Sequence, residues 1–272
     1  MKIERMAAVV TGAASGIGRG VARELAARGV SVAVADIELD RAREVADELA
    51  ATGVESIAVE CDVTSRESLE ALAERAFAEL GQVRLLCNNA GVGTMGAVAE
   101  LPEDNARWVF DVNVFGVLNG CAAFVPRFKQ QGGPAHVVNT GSEHSLGIPF
   151  AGMGIYTASK HAVLALSDVM RRELVDDGIG VSILCPGLVA TDIWNAGRNR
   201  QQAYGGPEQS PAEFAELFTE GMDPDEVGRL VVAAVERDDF FILSHPEVRA
   251  IVEQRYDEML AAFDACSTVS GG

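Results

Sequence analysis

Ala7-Ala8-Val9-Val10-Thr11-Gly12-Ala13-Ala14-Ser15-Gly16-Ile17-Gly18 is the stretch on which the fold turns. Its first five residues are a short apolar run with β-branched members, and from residue 17 to 28 apolar positions recur at helical spacing. The pattern reads as strand, glycine turn, helix. Glycines at such a turn let the backbone approach a ligand closely and leave the helix N-terminus open, as a dinucleotide pyrophosphate requires. A glycine trio alone makes many ordinary turns, so the context has to carry the reading.

That context repeats outward along the chain. Residues 31–36 and 55–61 are extended, and 39–52 and 65–80 are helical by period. Residues 85–88, 136–140, 181–185 and 240–242 are further buried strands, separated by long helical patterns over 102–129, 156–177 and 224–237. Continuous apolar strands alternating with helices predict a parallel sheet with right-handed crossovers. The expected fold is α/β, a doubly wound parallel sheet of the Rossmann type with about seven strands and helices on both faces. Residues 1–266 are expected to form a single dinucleotide-binding and catalytic domain. The segment of about 192–222, rich in Gly, Gln, Asn and Pro yet carrying Tyr204, Phe214, Leu217 and Phe218, reads as a substrate lid with an apolar underside. Residues 267–272 read as a flexible tail.

Asp36 ends the second predicted strand, eighteen residues past Gly18, close to the roughly twenty-residue spacing at which a carboxylate meets the adenosine ribose. It would accept hydrogen bonds from both ribose hydroxyls and repel the 2′-phosphate of NADP. Neither Ser15 nor Ile37 supplies a cation to bind that phosphate, so NAD is the expected cofactor; Arg41 and Arg43 lie further along the next helix.

Composition narrows the partners. The 272 residues carry a formal charge of -18, with 48% hydrophobic residues, enough for one sizeable core and unsuited to a phosphate backbone. Nucleic acid is therefore not an expected partner. Nor is a membrane, since no uninterrupted apolar run of about 18 residues occurs, and the start of the chain shows no leader pattern. The chain is expected to be cytoplasmic. The five cysteines (Cys61, Cys87, Cys121, Cys185, Cys266) are scattered without a CxxC pair and read as reduced core thiols, with no metal site expected.

Ser142 follows the strand ending at Thr140, and Tyr156-Thr157-Ala158-Ser159-Lys160 opens the next long helix. Residues four apart share a helix face, so Tyr156 and Lys160 can both project into the crevice at the strand ends. A tyrosine has an unperturbed pKa near 10, and to act as a base near neutrality it needs an adjacent cation such as Lys160. A lone Tyr/Lys pair at this spacing would be a surface pair in most proteins.

The whole series of motifs resembles the short-chain dehydrogenase/reductase family of the Tyr-x-x-x-Lys type: the glycine turn 11–18, Cys61-Asp62-Val63, Asn88-Asn89-Ala90-Gly91, Asn113, Ser142, Tyr156 to Lys160, and Pro186-Gly187 followed by Thr191. The resemblance implies an alcohol dehydrogenase or ketone reductase that moves hydride between NAD(H) and a secondary alcohol or ketone. It implies Tyr156 as general acid/base, Lys160 as the group binding the nicotinamide ribose, Ser142 as the holder of the substrate oxygen and Asn113 as the anchor of a proton-relay water. The implied cofactor residues are Gly12, Ser15, Gly16, Ile17, Gly18, Asp36, Asp62, Val63, Asn89, Ala90, Gly91, Tyr156, Lys160, Pro186, Gly187, Val189 and Thr191. One local departure is Thr140-Gly141-Ser142-Glu143-His144-Ser145, where many relatives carry two serines and then small residues. Ser145 is the fallback for Ser142, and Glu143 or His144 stands near substrate or cofactor.

Val92, Met95, Leu146, Ile148, Phe150, Met153, Ile155, Trp194 and Tyr204 suggest an apolar pocket for a bulky or aromatic substrate. The substrate-binding residues expected are Ser142, His144, Ile148, Met153, Tyr156 and Trp194. Peripheral segments 124–127, 178–181 and 242–247 resemble a bacterial subgroup that includes dehydrogenases of lignin-derived aryl alcohols. The family also implies a homotetramer through the helices starting near Pro102 and Tyr156. Two alternatives compete: an NADPH-dependent 3-oxoacyl thioester reductase, and a non-catalytic NAD-sensing protein.

Overall fold

The computed structural model describes residues 2–3, 6–148, 150–209 and 213–269. Seven strands, β1 (Ala7–Thr11), β2 (Ser31–Asp36), β3 (Ser56–Glu60), β4 (Val83–Asn88), β5 (Ala135–Thr140), β6 (Ile179–Cys185) and β7 (Phe241–Leu243), form one parallel sheet in the order β3-β2-β1-β4-β5-β6-β7. The order reverses beside β1, and a doubly wound sheet opens a crevice at the carboxyl ends of its strands at such a reversal.

Side chains leave a strand alternately on its two faces, and β1 and β2 use both. Ala8, Val10, Val32 and Val34 join a core with α1 (Gly16–Ala27) and α8 (Pro224–Arg237). Ala7, Val9, Ala33 and Ala35 join the opposite one with α3 (Arg66–Leu80) and α5 (Gly116–Gln131), where Leu69, Leu72, Phe124 and Phe128 are fully buried. This two-sided burial is why the strands read as unbroken apolar runs. On the first face α1 and α8 touch backbone to backbone: a Cβ on Gly20 would run into the Pro224 carbonyl, and one on Gly228 into that of Gly20.

The helical pattern expected over 102–129 is broken in the structure. α4 (Glu103–Phe110) passes through a wide π-helical turn, Asp111–Phe115, into α5. By length and composition the run from Glu103 to Gln131 would suffice to cross a membrane, yet 61% of its apolar 18-residue stretch is buried inside the protein, as in a core helix. The pattern over 156–177 resolves into α6 (Gly154–Glu173) and a 3-10 turn, Val175–Asp177. Two helices escaped the periodicity: α7 (Glu213–Thr219), inside the segment read as a lid, and α9 (Arg249–Val269). Residues 267–269 of the expected tail continue α9, and 270–272 lie outside the described residues, as do the side chains of Phe214 and Leu217. Among the cysteines Cys61, Cys87 and Cys185 are buried and Cys121 partly so, and burial pushes each of these four thiols up to about 12. Cys266 is exposed on α9, against the expectation of a core thiol. Among the described residues no cluster could hold a metal ion.

Candidate active site

A cleft of about 770 Å³ lies across the carboxyl ends of β1, β2, β4, β5 and β6. At one end the turn after β1 forms its floor. Gly12 and Gly16 adopt φ of +63° and +52°, and a Cβ on Gly12 would stand 2.8 Å from the Ala90 Cα. Side chains are excluded there on conformational and steric grounds alike. Gly18 sits behind the turn with its Cα against the Gly12 carbonyl and does not line the cleft. Ser15 caps α1 without a side-chain hydrogen bond, and no acidic residue stands in the first helical turn, so the helix N-terminus faces the cleft unneutralised.

Asp36 braces this turn. Its carboxylate accepts the Ala14 N–H through Oδ2 and the Glu38 N–H through Oδ1, each at 3.0 Å. Burial nevertheless raises its pKa above the ordinary value, the two N–H bonds opposing. Thr11 accepts the backbone N–H groups of Asn89 and Ala90 at 3.0 and 3.1 Å, while the Asn89 side chain donates to the Thr11 and Gly12 carbonyls. Asn88 faces inward and donates to Asn139 at 2.9 Å. These asparagines knit the strand ends together, which is the structural role open to them from sequence.

The segment 192–204 runs over this end and is strapped to it by side chains. Arg198 meets Glu38 at 2.6 Å, Gln201 donates to Asp62 at 3.0 Å, and the Tyr204 hydroxyl donates to Asp111 at 2.8 Å. Arg41 is shared between Glu38 at 3.2 Å and Asp192 at 3.3 Å. Burial would raise the Glu38 carboxyl, but hydrogen bonds from Arg198 and Asn199 and the nearby Arg41 hold it below its usual range.

At the other end Tyr156 and Lys160 share the cleft-facing side of α6, as their spacing predicts. The Lys160 ammonium is 3% exposed, donates to the Thr140 carbonyl at 2.8 Å and lies 5.6 Å from the Tyr156 ring centre. Burial pushes Lys160 down to about 8. Burial also pushes the Tyr156 phenol up to about 12, with the Ser142 hydrogen bond opposing and the Glu143 charge adding to the rise. The depression by Lys160 expected for this phenol is not among the influences that set its direction, which is upward through loss of solvent. Ser142 starts a 3-10 turn, Glu143–Leu146, and accepts the His144 N–H at 3.2 Å. Ser145, the fallback, spends its hydroxyl on the Lys160 carbonyl at 2.7 Å and does not line the cleft.

His144 contacts Thr157 at 2.7 Å, and its ring lies 4.8 Å from Phe150 and edge-on to Tyr156 at 5.3 Å. Burial, with help from His161 and Lys160, pushes it down to about 4, so it is a neutral wall at pH 7. Glu143 is half-buried and its carboxyl is raised by burial, with His245 opposing and Glu247 adding to the rise.

All the sequence-predicted cofactor residues except Gly18 line the cleft. Of the predicted substrate residues, Ile148 does not: it is 2% exposed and belongs to the interior. Leu146, Ile155 and Tyr204 likewise pack against the cores, while Val92, Met95, Phe150, Met153 and Trp194 reach the cleft. Asn113 stands in the π turn, 1% exposed, with its amide spent on the Val92 N–H and carbonyl and on Ser159, so its side chain holds the loop after Gly91 rather than facing the cleft.

Residues unflagged by the sequence also shape the site. His245, just past β7, accepts the Gly187 N–H at Nδ1 (3.1 Å) and donates from Nε2 to the Leu188 carbonyl (3.1 Å), fastening the turn after β6. Glu38, Arg198, Arg200 and Gln201 complete the roof. No local motif marks any of them, since each acts across the fold.

The model of the short chain dehydrogenase family matches residues 6–202. The chain is similar to the 1-deoxy-11-beta-hydroxypentalenate dehydrogenase of Streptomyces exfoliatus, 37% identical over 95% of this chain and 90% of the relative. It is also similar to the C alpha-dehydrogenase of Sphingobium sp. strain SYK-6, 32% identical over 93% of this chain and 85% of the relative. A crystal structure of a short chain dehydrogenase/reductase from Burkholderia phymatum in complex with NAD superposes with a TM-score of 0.90 at 35% identity, covering 96% of each chain. The chain belongs to the short-chain dehydrogenase/reductase family. It is an oxidoreductase of that family.

Proposed function

We propose that the protein is an NAD-dependent dehydrogenase of bulky apolar or aromatic secondary alcohols, working reversibly on the matching ketones, with Tyr156 moving the proton. The observation that carries this reading is the convergence of Tyr156, Lys160 and Ser142 on one wall of a cleft whose far end is a glycine turn, with no room for a side chain at Gly12 or Gly16, at an open helix N-terminus. The glycine turn, Asp36, and the 186–191 segment would hold the dinucleotide, whose nicotinamide ring supplies hydride transfer when bound. Ser142 would hold the substrate oxygen by hydrogen bond, and the Tyr156 hydroxyl would take the alcohol proton or return it to the ketone oxygen. A phenol near 12 is protonated at neutrality, so it carries a proton to return to a ketone, while reaching the phenolate that acts as base costs about 1.4 kcal/mol per unit. The Lys160 ammonium, aided by the positive nicotinamide of the oxidised cofactor, would lower that cost in the oxidation direction.

NAD is favoured over NADP because Asp36 and Glu38 both line the ribose end, while the two nearby cations are already committed, Arg198 to Glu38 and Arg41 to Glu38 and Asp192. Val92, Met95, Phe150, Met153 and Trp194 favour an apolar substrate. A tetramer through α4/α5 and α6 is consistent with Phe115, Leu118 and Val169 lying exposed along them, and a mass near the 28.7 kDa monomer by light scattering would overturn it.

The test is cofactor reduction by purified protein over a panel of secondary alcohols, with NAD and NADP in parallel. Turnover with NAD on aryl or bulky alcohols is expected. Preference for NADP with thioester substrates would support the reductase alternative instead. Tyr156→Phe should lose about 10²- to 10⁴-fold in kcat while still binding NAD; unchanged turnover in that variant would overturn the role given to the phenol, and silence of the unaltered protein with NAD still bound would favour a sensor.

A further inference from the structure

Arg200 follows the 3-10 run Asp192–Asn199 in the roof of the cleft and is 8% exposed, although it lines the cavity. A guanidinium carries five N–H donors, accepts nothing, and stays charged at any pH the protein meets. Among the described residues one of those donors is accounted for: Nη1 reaches Glu208 Oε2 at 3.1 Å. Glu208 itself is 66% exposed, so this ion pair is largely screened by water. Nε is enclosed with no acceptor among the described residues. The Trp108 ring closes one side, 5.6 Å from the guanidinium carbon, and the Gly205 backbone closes another.

The other cationic side chains lining the cleft are differently placed. Arg198 is matched by Glu38 at 2.6 Å, and Lys160 donates to the Thr140 carbonyl at 2.8 Å. Arg200 alone of the three combines near-complete burial with a partner that faces solvent. Burying a cation costs more than one exposed carboxylate returns, and proteins that retain such a group compensate it with a bound anion or a second partner. Beyond the Trp108 ring face, no second acceptor or counter-ion stands against it among the described residues, and the cleft is the open direction. In a chain of formal charge -18, a local cation is also what an anionic ligand needs to enter against the overall field.

We propose that Arg200 forms an anion-binding subsite in the roof of the cleft, engaging either a carboxylate on the substrate or the diphosphate of the dinucleotide. The inference rests on the reading of the cleft as a dinucleotide and alcohol site. It adds to that reading a charged recognition element outside the glycine turn and outside the Tyr156 wall, and it extends the substrate class to apolar hydroxy acids.

The test measures binding rather than turnover, so a protein that fails to oxidise alcohols can still decide it. Calorimetry on the full chain compares two matched pairs of probes: ADP against adenosine, and 4-(1-hydroxyethyl)benzoate against its methyl ester. In Arg200→Met the anionic member of one pair should weaken by about tenfold or more relative to its neutral partner. Arg200→Lys should recover part of that loss. Selective loss on ADP assigns the subsite to the cofactor's phosphates, and selective loss on the benzoate assigns it to the substrate. Should Arg200→Met not fold, Glu208→Gln gives the converse reading, since removing the competing exposed carboxylate should tighten the anionic member and leave the neutral one unchanged. Unchanged ratios in both pairs, or equal weakening of all four probes, overturn the proposal.

Discussion

The two ends of the cleft are built by opposite means. At the end beside the glycine turn the floor is mostly backbone: a turn with Gly12 and Gly16 at positive φ, a helix terminus, and Asp36 holding the N–H groups of Ala14 and Glu38. At the Tyr156 end the walls come from separate segments, with Ser142 after β5, Tyr156 on α6 and Trp194 in the roof, while His245 past β7 fastens the turn at Gly187 from behind. The first end is pre-organised by hydrogen bonds onto backbone groups, between Asp36 and Ala14 and between Thr11, Gly12 and the 89–90 segment, and suits one invariant ligand. The second depends on how distant elements pack, so its shape can change without disturbing the first.

Three variants probe that contrast. Asp36→Ala removes the acceptor that braces the turn and would bind the ribose, and hydrogen bonds to a charged group are worth about 1.5–3 kcal/mol each. NAD affinity should fall by about a hundredfold or more by calorimetry, with a lowered melting temperature, while the selectivity of residual turnover among alcohols stays unchanged; intact affinity would remove the ribose end's claim to be pre-organised by this residue. Phe150→Ala strips a ring that leans on His144 at 4.8 Å, an aromatic contact worth about 0.5–1.5 kcal/mol. KM for aryl alcohols should rise by about two- to tenfold with NAD affinity constant, and a matching loss in NAD affinity would show the two ends to be coupled.

The smallest effect concerns Glu143, whose charge helps raise the Tyr156 phenol. Alcohol oxidation needs that phenol to accept a proton, so the rate climbs as pH rises through its pKa. Glu143→Gln takes away a negative charge and lowers the pKa, so the ascending limb of kcat/KM should move to lower pH with little change in the plateau. A limb that stays in place would separate Glu143 from the proton-transfer group.

How far each end was legible in the sequence follows the same division. The glycine turn, Asp36 and the Tyr156/Lys160 pair are short-range patterns, and the structure sets them along one cleft. Ile148 illustrates the limit. Its apolar character and loop position suited a pocket wall, yet a shift of one or two positions along the turn after Ser142 puts its side chain in the interior, 2% exposed, while Phe150 reaches the cleft. Asn113 shows another limit: the π turn that aims its amide at the loop after Gly91 interrupts what reads as one continuous amphipathic helix. Helix α9 was missed because its side chains are almost all exposed, leaving no buried stripe to generate a clear period.

By itself, then, the sequence determined the alternation of strand and helix, the open turn after β1, and the helical spacing of Tyr156 and Lys160, because each depends on backbone preference and side-chain period within a few residues. Only the tertiary structure decided that Ser142 meets the Tyr156 phenol, that Arg198 neutralises Glu38, that His245 fastens the turn at Gly187 and that Arg200 is enclosed beside Trp108. Those contacts join residues far apart in the chain, and their register is set by how the helices pack on the sheet, which no local pattern encodes.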